Sequence, residues 1–164
     1  MKQYVCCGAG AHHLGIEVLT VHEIVFSTQI TPVPFGPAEV RGLINLRGRI
    51  ISVFDMGMCL GGEPIALTEE SRIVVLRTET ELAPIRAREH RADLRSSEEA
   101  VGLLIDSLGD IVAVGEEDLD APPANFALAD TPFVSSVFSV NNALHSVLDV
   151  EKMIASVTDM DAAA

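Results

Sequence analysis

The chain reads as all-β, on three observations. Its apolar residues fall in short runs of Val, Ile and Leu, the runs are separated by Gly, Pro and Asn, and aromatic residues make up only 4% of the chain with no Trp. A core without aromatic anchors must be filled by aliphatics, and β-branched side chains pack well on a half-buried pleat. At 164 residues the chain is long enough for one ordinary domain or for two small subdomains sharing a core, and the second is expected.

The organising stretch is Val40 to Leu60, VRGLINLRGRIISVFDMGMCL. Two strand-like runs lead into and out of a break at Arg47, Gly48 and Arg49, where Gly48 supplies the positive φ of a tight hairpin and the arginines keep the tip in water. Upstream, Tyr4 to Cys7 reads as a strand, GAGAHH as a turn, and Leu14, Ile16 and Val18 as a returning strand. The spacing then shifts through Val21, Ile24 and Val25, which predicts a bend or bulge before a loop marked by Pro32, Pro34 and Pro37. Another strand is expected at Arg72 to Leu76. Residues 78–99 carry ten charges in 22 residues with almost no apolar periodicity, the signature of a solvated insertion loop holding at most a short helix around Ile85 to Leu94.

Ala100 to Val114 resumes strand character and reads as a second hairpin, because GLLID followed by GDIVAV echoes GLIN followed by GRIISV. Two related halves and a chance likeness of buried hairpins both account for the echo. Phe133 to Val140 and Leu144 to Leu148 read as the last strands, joined at Asn141-Asn142, both of which tolerate left-handed backbone. Asp149 is placed to cap a short helix whose Val150, Met153, Ile154 and Val157 share one face, and 158–164 is expected to be a flexible tail.

The net charge of −13 is uneven: residues 1–77 hold six Lys or Arg against seven acids, whereas 101–164 hold one against eleven. Such a surface repels phosphate backbones and anionic lipid, so neither nucleic acid nor a membrane surface is an expected partner. Three cysteines form no disulfide framework and fit a reducing compartment. The apolar run after Lys2 is too short for a secretory signal, and residues 131–148, although free of charges, carry Pro132, two Asn, His145 and serines that are incompatible with a spanning helix. A cytoplasmic protein is expected.

No hydrolase, zincin, P-loop or dinucleotide motif is present. Cys6, Cys7, His12 and His13 are metal-ligand types, but neighbours on a strand point to opposite faces and the spacing matches no structural zinc pattern. A small metal or thiol enzyme built on these four residues is the rival from a different functional class. His145, Ser146 and Asp149 fail as a triad on the same alternation. No cofactor or metal is expected.

Read letter by letter, GLINLRGRIISVFDMGMCLG resembles the core stretch of the CheW-like chemotaxis adaptor family: Gly42, Asn45, Leu46, Arg47, Gly48, Asp55 and Gly61 stand in that family's places. GIEVLTVHEI, VGLLIDSLGDIV and LDVEKMI extend the resemblance over most of the chain in the same order. It implies two small five-stranded β-barrels with exchanged strands and a short C-terminal helix, forming one domain over 1–157. It also implies a non-catalytic scaffold that joins the cytoplasmic tip of a chemoreceptor to the regulatory domain of the histidine kinase CheA; an array controlling pili or a second messenger would use the same faces. A kinase is not expected, since no phosphoacceptor or ATP-binding segment is present. The Glu of V-x-E-I and the Arg of N-L-R-G lie in regions implicated in partner contact, which carries over to Glu23 and Arg47, with Val21 and Ile24 as apolar neighbours and Asn45 and Gly48 flanking. The chain departs from the family in its 78–99 insert, where a tight turn is usual, and at Ser52, Gly57 and Ser136, where Pro, Arg and Gly are often found.

Overall fold

A computed structural model describes residues 1–27 and 29–163, with side chains as far as Thr158. The strands are β1 (Lys2–Ala9), β2 (His12–Glu17), β3 (Val21–Phe26), β4 (Val40–Leu46), β5 (Arg49–Asp55), β6 (Arg72–Leu76), β7 (Val101–Ile105), β8 (Ser107–Val114), β9 (Val134–Val140) and β10 (Ala143–Leu148). The helices are α1 (Met56–Cys59), α2 (Glu79–Arg88) and α3 (Val150–Ala163). Among the described residues, no helix is long and apolar enough to cross a membrane.

Two five-stranded sheets result, ordered β8-β1-β2-β10-β9 and β3-β6-β7-β5-β4, hereafter sheets A and B. Each has one parallel pair, β2 with β10 and β5 with β7, flanked by antiparallel pairs. In each, the chain beyond one edge strand forms a single bridge to the opposite edge strand, Asp120 to Val137 of β9 in A and Thr31 to Leu43 of β4 in B. The exchange of strands is one-way. Sheet B is continuous in sequence, and sheet A is assembled from the β1–β2 hairpin and the chain after Asp106.

The second hairpin expected at 101–114 is not one. β7 lies in the middle of sheet B and β8 at the edge of sheet A, so the chain crosses between sheets at Asp106. That crossing is pinned, since the Asp106 N–H donates to the Gly8 carbonyl at 2.9 Å and its carboxylate accepts from the Gly10 N–H. The halves do share a pairing order, but β4–β5 corresponds to β9–β10 rather than to the echoing β7–β8 segment. Both corresponding turns have two left-handed residues, Arg47 (φ 53°) with Gly48 (φ 84°) and Asn141 (φ 51°) with Asn142 (φ 65°), the hairpin turn whose twist matches the strands. The β1–β2 turn is shorter than expected, and His12 and His13 belong to β2. A 3₁₀ turn at Val18–Thr20 replaces the end of the expected strand, and a register shift at Val21/Glu23 supplies the bulge.

The bridge to Thr31 forms because Gly42 has no side chain. It sits at φ 150°, and a Cβ there would stand 2.2 Å from the Thr31 carbonyl oxygen that completes the bridge. One shared core then joins Leu14 and Ile16 of sheet A to Val53, Ile73 and Leu103 of sheet B and to Met153 of α3. Val150, Met153 and Val157 are buried as the helical spacing predicts, and the Asp149 carboxylate accepts from the Lys152 N–H at 3.1 Å. The helix continues to Ala163, through the stretch expected as a tail; Ala164 and the side chains after Thr158 lie outside the described residues.

The 78–99 insert is built, not solvated throughout. α2 starts six residues before the expected Ile85, on a capping box in which the Thr78 hydroxyl accepts from the Glu81 N–H and the Glu81 carboxylate accepts from the Thr78 N–H. Leu82 and Leu94 are buried, and Arg91 pairs with Glu17 and Asp93, which ties the insert to sheet A.

Inside sheet A, Tyr4, Cys6, Val114, Phe138 and Val147 form a smaller cluster. The His145 ring stacks on Phe138 with centroids 5.3 Å apart and lies 5.1 Å from that of His13. Burial pushes the His145 pKa below its ordinary value and the neighbouring His13 adds to this, against the opposing hydrogen bond to the Ala143 carbonyl.

Gly42→Ala should lower stability by about 2–3 kcal/mol, because the clash is with backbone on a positive-φ residue; a urea midpoint equal to wild type would show that the bridge does not need the glycine. Since folded His145 resists protonation, the unfolded chain takes the proton first as pH falls through about 6.5. The urea midpoint should therefore drop between pH 7.5 and 5.5 by more in the wild type than in His145→Gln, and equal drops would refute the assignment.

Candidate functional site

β3 and β4 are the two edges of sheet B, and the loop after β3 bridges to β4 at Thr31, on the side where Glu23 of β3 reaches the β4–β5 tip. The Arg47 guanidinium donates there to Glu23 Oε1. Their side chains are 69% and 26% exposed, so the pair lies at the surface with the arginine outermost. Arg47 stands at the apex on a left-handed backbone, and Asn45 Oδ1 accepts from the Gly48 N–H at 2.8 Å, bracing the turn from its own strand. Val21 and Ile24 are half-buried and pack on the shared core, so their side chains support β3 as well as edging the surface. The fold thus brings Glu23 to Arg47, with Asn45 and Gly48 in the same turn, whereas Val21 and Ile24 turn towards the core.

Three further charged or titratable residues join this site that sequence reasoning left out. Glu81, on α2, accepts from Arg49 Nη2 at 2.7 Å, and its other oxygen lies 3.5 Å from His22 Nδ1. His22 Nε2 lies 3.6 Å from Glu23 Oε1. A continuous line therefore runs Arg47, Glu23, His22, Glu81, Arg49. Burial alone would push the Glu81 pKa up, but the Thr78 N–H, the Arg49 guanidinium and the Thr78 hydroxyl outweigh it and hold the carboxyl down at about 2. The signal available in the sequence was Thr78-x-x-Glu81, the pattern of a capping box. Ile50, 56% exposed and opposite Asn45 in register, adds an apolar contact beside the charges.

Surface ion pairs of this kind stabilise a fold by about 0–1 kcal/mol, so the line of charges contributes little to holding the sheet together. What it offers is a fixed pattern of sign and direction next to an exposed aliphatic, which suits recognition of another protein surface.

The Cys and His residues do not assemble a rival centre. Cys6 faces the interior of sheet A and Cys7 the shared core, and burial pushes the Cys7 thiol up to about 12 and raises that of Cys6, away from the thiolate that a nucleophile or metal ligand needs. His13 meets His145 rather than His12. Among the described residues, no group of three or more His, Cys, Asp or Glu could hold a metal ion. At Gly57, where the resembling family often has Arg, the Glu63 carbonyl oxygen would stand 2.1 Å from a Cβ, so the loop here occupies the place of that side chain.

Comparison with known proteins agrees with this architecture. A chemotaxis protein CheW of Rhizobium meliloti is 24% identical over 155 residues, covering 94% of this chain and 88% of the relative. A probable chemotaxis protein CheW of Rhizobium etli is 25% identical over 162 residues, covering 99% and 92%. The crystal structure of the scaffolding protein TtCheW from Thermoanaerobacter tengcongensis superposes with a TM-score of 0.74 at 23% identity, over 93% of this chain and 86% of that one, which establishes the likeness of fold. Residues 3–158 match the CheW-like domain, and the chain belongs to the CheW-like family.

Proposed function

We propose that this protein is a non-catalytic adaptor of chemotaxis that couples the cytoplasmic tip of a chemoreceptor to the regulatory domain of the histidine kinase CheA. The observation that carries the reading is the exposed Glu23–Arg47 pair, set at the β4–β5 tip of sheet B, where Ile50 is also exposed. A pair that contributes little to stability, held in a defined direction by a braced turn, is what an adaptor needs for a selective and reversible contact. Family membership and relatives named as chemotaxis proteins support the same role. Both proposed partners present these surfaces in the cytoplasm, which is where the adaptor would work. Two partners held by one small body also require that body to be rigid, and the core shared by sheets A and B meets that demand.

Reversing the apex charge tests the reading. Arg47→Glu sets a second carboxylate against Glu23 while disturbing no buried contact. It should weaken binding of a purified chemoreceptor tip fragment about tenfold or more, with a melting temperature within about 2 °C of wild type. Unaltered affinity for both the tip fragment and the CheA regulatory domain would overturn it.

A further inference from the structure

The insert is where this chain departs from the tight turn expected in its family, and it is anchored at both ends of its reach. On sheet A, Arg91 pairs with Glu17 at the end of β2, and Lys2 of β1 lies 3.5 Å from Asp93. Within the insert, Arg86 Nε donates to the Leu94 carbonyl at 3.0 Å and the Ser96 N–H donates to the Glu79 carboxylate at 3.0 Å, which folds the segment after α2 back on the helix. Leu82 and Leu94 are buried beneath it. On sheet B its contact with the site is Glu81. One carboxylate oxygen accepts from the Thr78 N–H at 3.0 Å and from Arg49 at 2.7 Å, and the other faces His22.

Arg49 is the first residue after the Arg47-Gly48 turn, so whatever holds Arg49 also sets the direction of the tip. His22 precedes Glu23 on β3. Glu81 therefore holds Arg49, two residues beyond Arg47, and lies beside His22, the neighbour of Glu23. We infer that Glu81 is a positioning residue for partner binding: through it the insert, braced on sheet A, fixes the orientation in which the β4–β5 tip offers Arg47 to the partner. This rests on the adaptor reading above and adds to it that recognition by this chain depends on α2, an element outside the surface that touches the partner. Glu81 acts through Arg49 and His22.

The test uses the full chain, a chemoreceptor tip fragment and the CheA regulatory domain as probes. Glu81→Gln keeps the side-chain shape and removes its charge. It should leave the melting temperature within about 2 °C, weaken tip-fragment binding roughly five- to tenfold, in the usual range for linked sites, and speed hydrogen exchange of the Gly48 and Arg49 amides. Arg49→Gln should give a similar loss, and the double variant should lose no more than either single one, because both break the same link. If Arg47→Glu weakens binding while Glu81→Gln stays within twofold of wild type, the positioning role is wrong and the adaptor reading stands. Additive losses with unchanged amide exchange would equally overturn positioning through Arg49. If neither Arg47→Glu nor Glu81→Gln alters binding, the adaptor site itself is misplaced.

Discussion

Asp55 is fully buried at the end of β5, and its carboxylate gathers three separate pieces of chain. Arg41 Nη1 of β4 donates to it at 2.7 Å, the Met58 N–H of α1 at 3.2 Å and the Ile65 N–H at 3.1 Å, while Arg41 also reaches the Ile65 carbonyl at 2.8 Å. A buried carboxylate survives only when its oxygens are paired in this way, and removing one partner from such a cluster costs about 3 kcal/mol or more. The cluster ties β4 to β5 at the end opposite the tip, and it stops β5 beside the parallel strand β7. The direction in which the hairpin emerges from sheet B, and hence the place of Arg47, depends on it.

The Thr31 bridge and the shared core follow from there. Neither sheet buries both its faces alone: the strands of sheet A turn Leu14 and Ile16 toward sheet B while Tyr4 and Phe138 face their own smaller interior. The chain passes from A to B through the short 3₁₀ turn and back through Asp106, and both crossings are hydrogen-bonded, by Thr20 to the Glu17 carbonyl and by Asp106 to Gly8 and Gly10. A body built this way bends little between its two halves. For an adaptor that geometry matters more than any one contact, since a signal between two partners is carried only as far as the scaffold resists deformation.

The site itself is made of interactions that are individually weak. Exposed ion pairs are screened by salt and return little stability, so their value lies in where they point. Arg47 points outward because the turn places it left-handed at the apex, because Asn45 closes the turn from within, and because Glu23 holds its guanidinium while Glu81 holds Arg49 beyond the turn. Such an arrangement reverses readily on association, which suits the transient contacts of an adaptor.

The strands, the two Asn at the far hairpin, the Asp149 cap and the helical face of Val150, Met153 and Val157 were legible in the sequence, because each is dictated by nearest neighbours: alternation, turn chemistry and capping act over a few residues. The residue identities at Glu23 and Arg47 were legible as a family likeness, yet their pairing was not, since they lie 24 positions apart on opposite edge strands of sheet B and only the folded sheet brings them together. Tertiary structure alone decided that the echo of β4–β5 in β7–β8 spans two sheets, because local pattern carries no information on which sheet a buried strand joins. It also decided that a highly charged insert is a braced helix. Composition counts its charges as solvated, but Glu79 and Arg86 pair within α2, while Glu81 and Arg91 pair with Arg49 and Glu17 far along the chain, contacts that exist only once both sheets are in place.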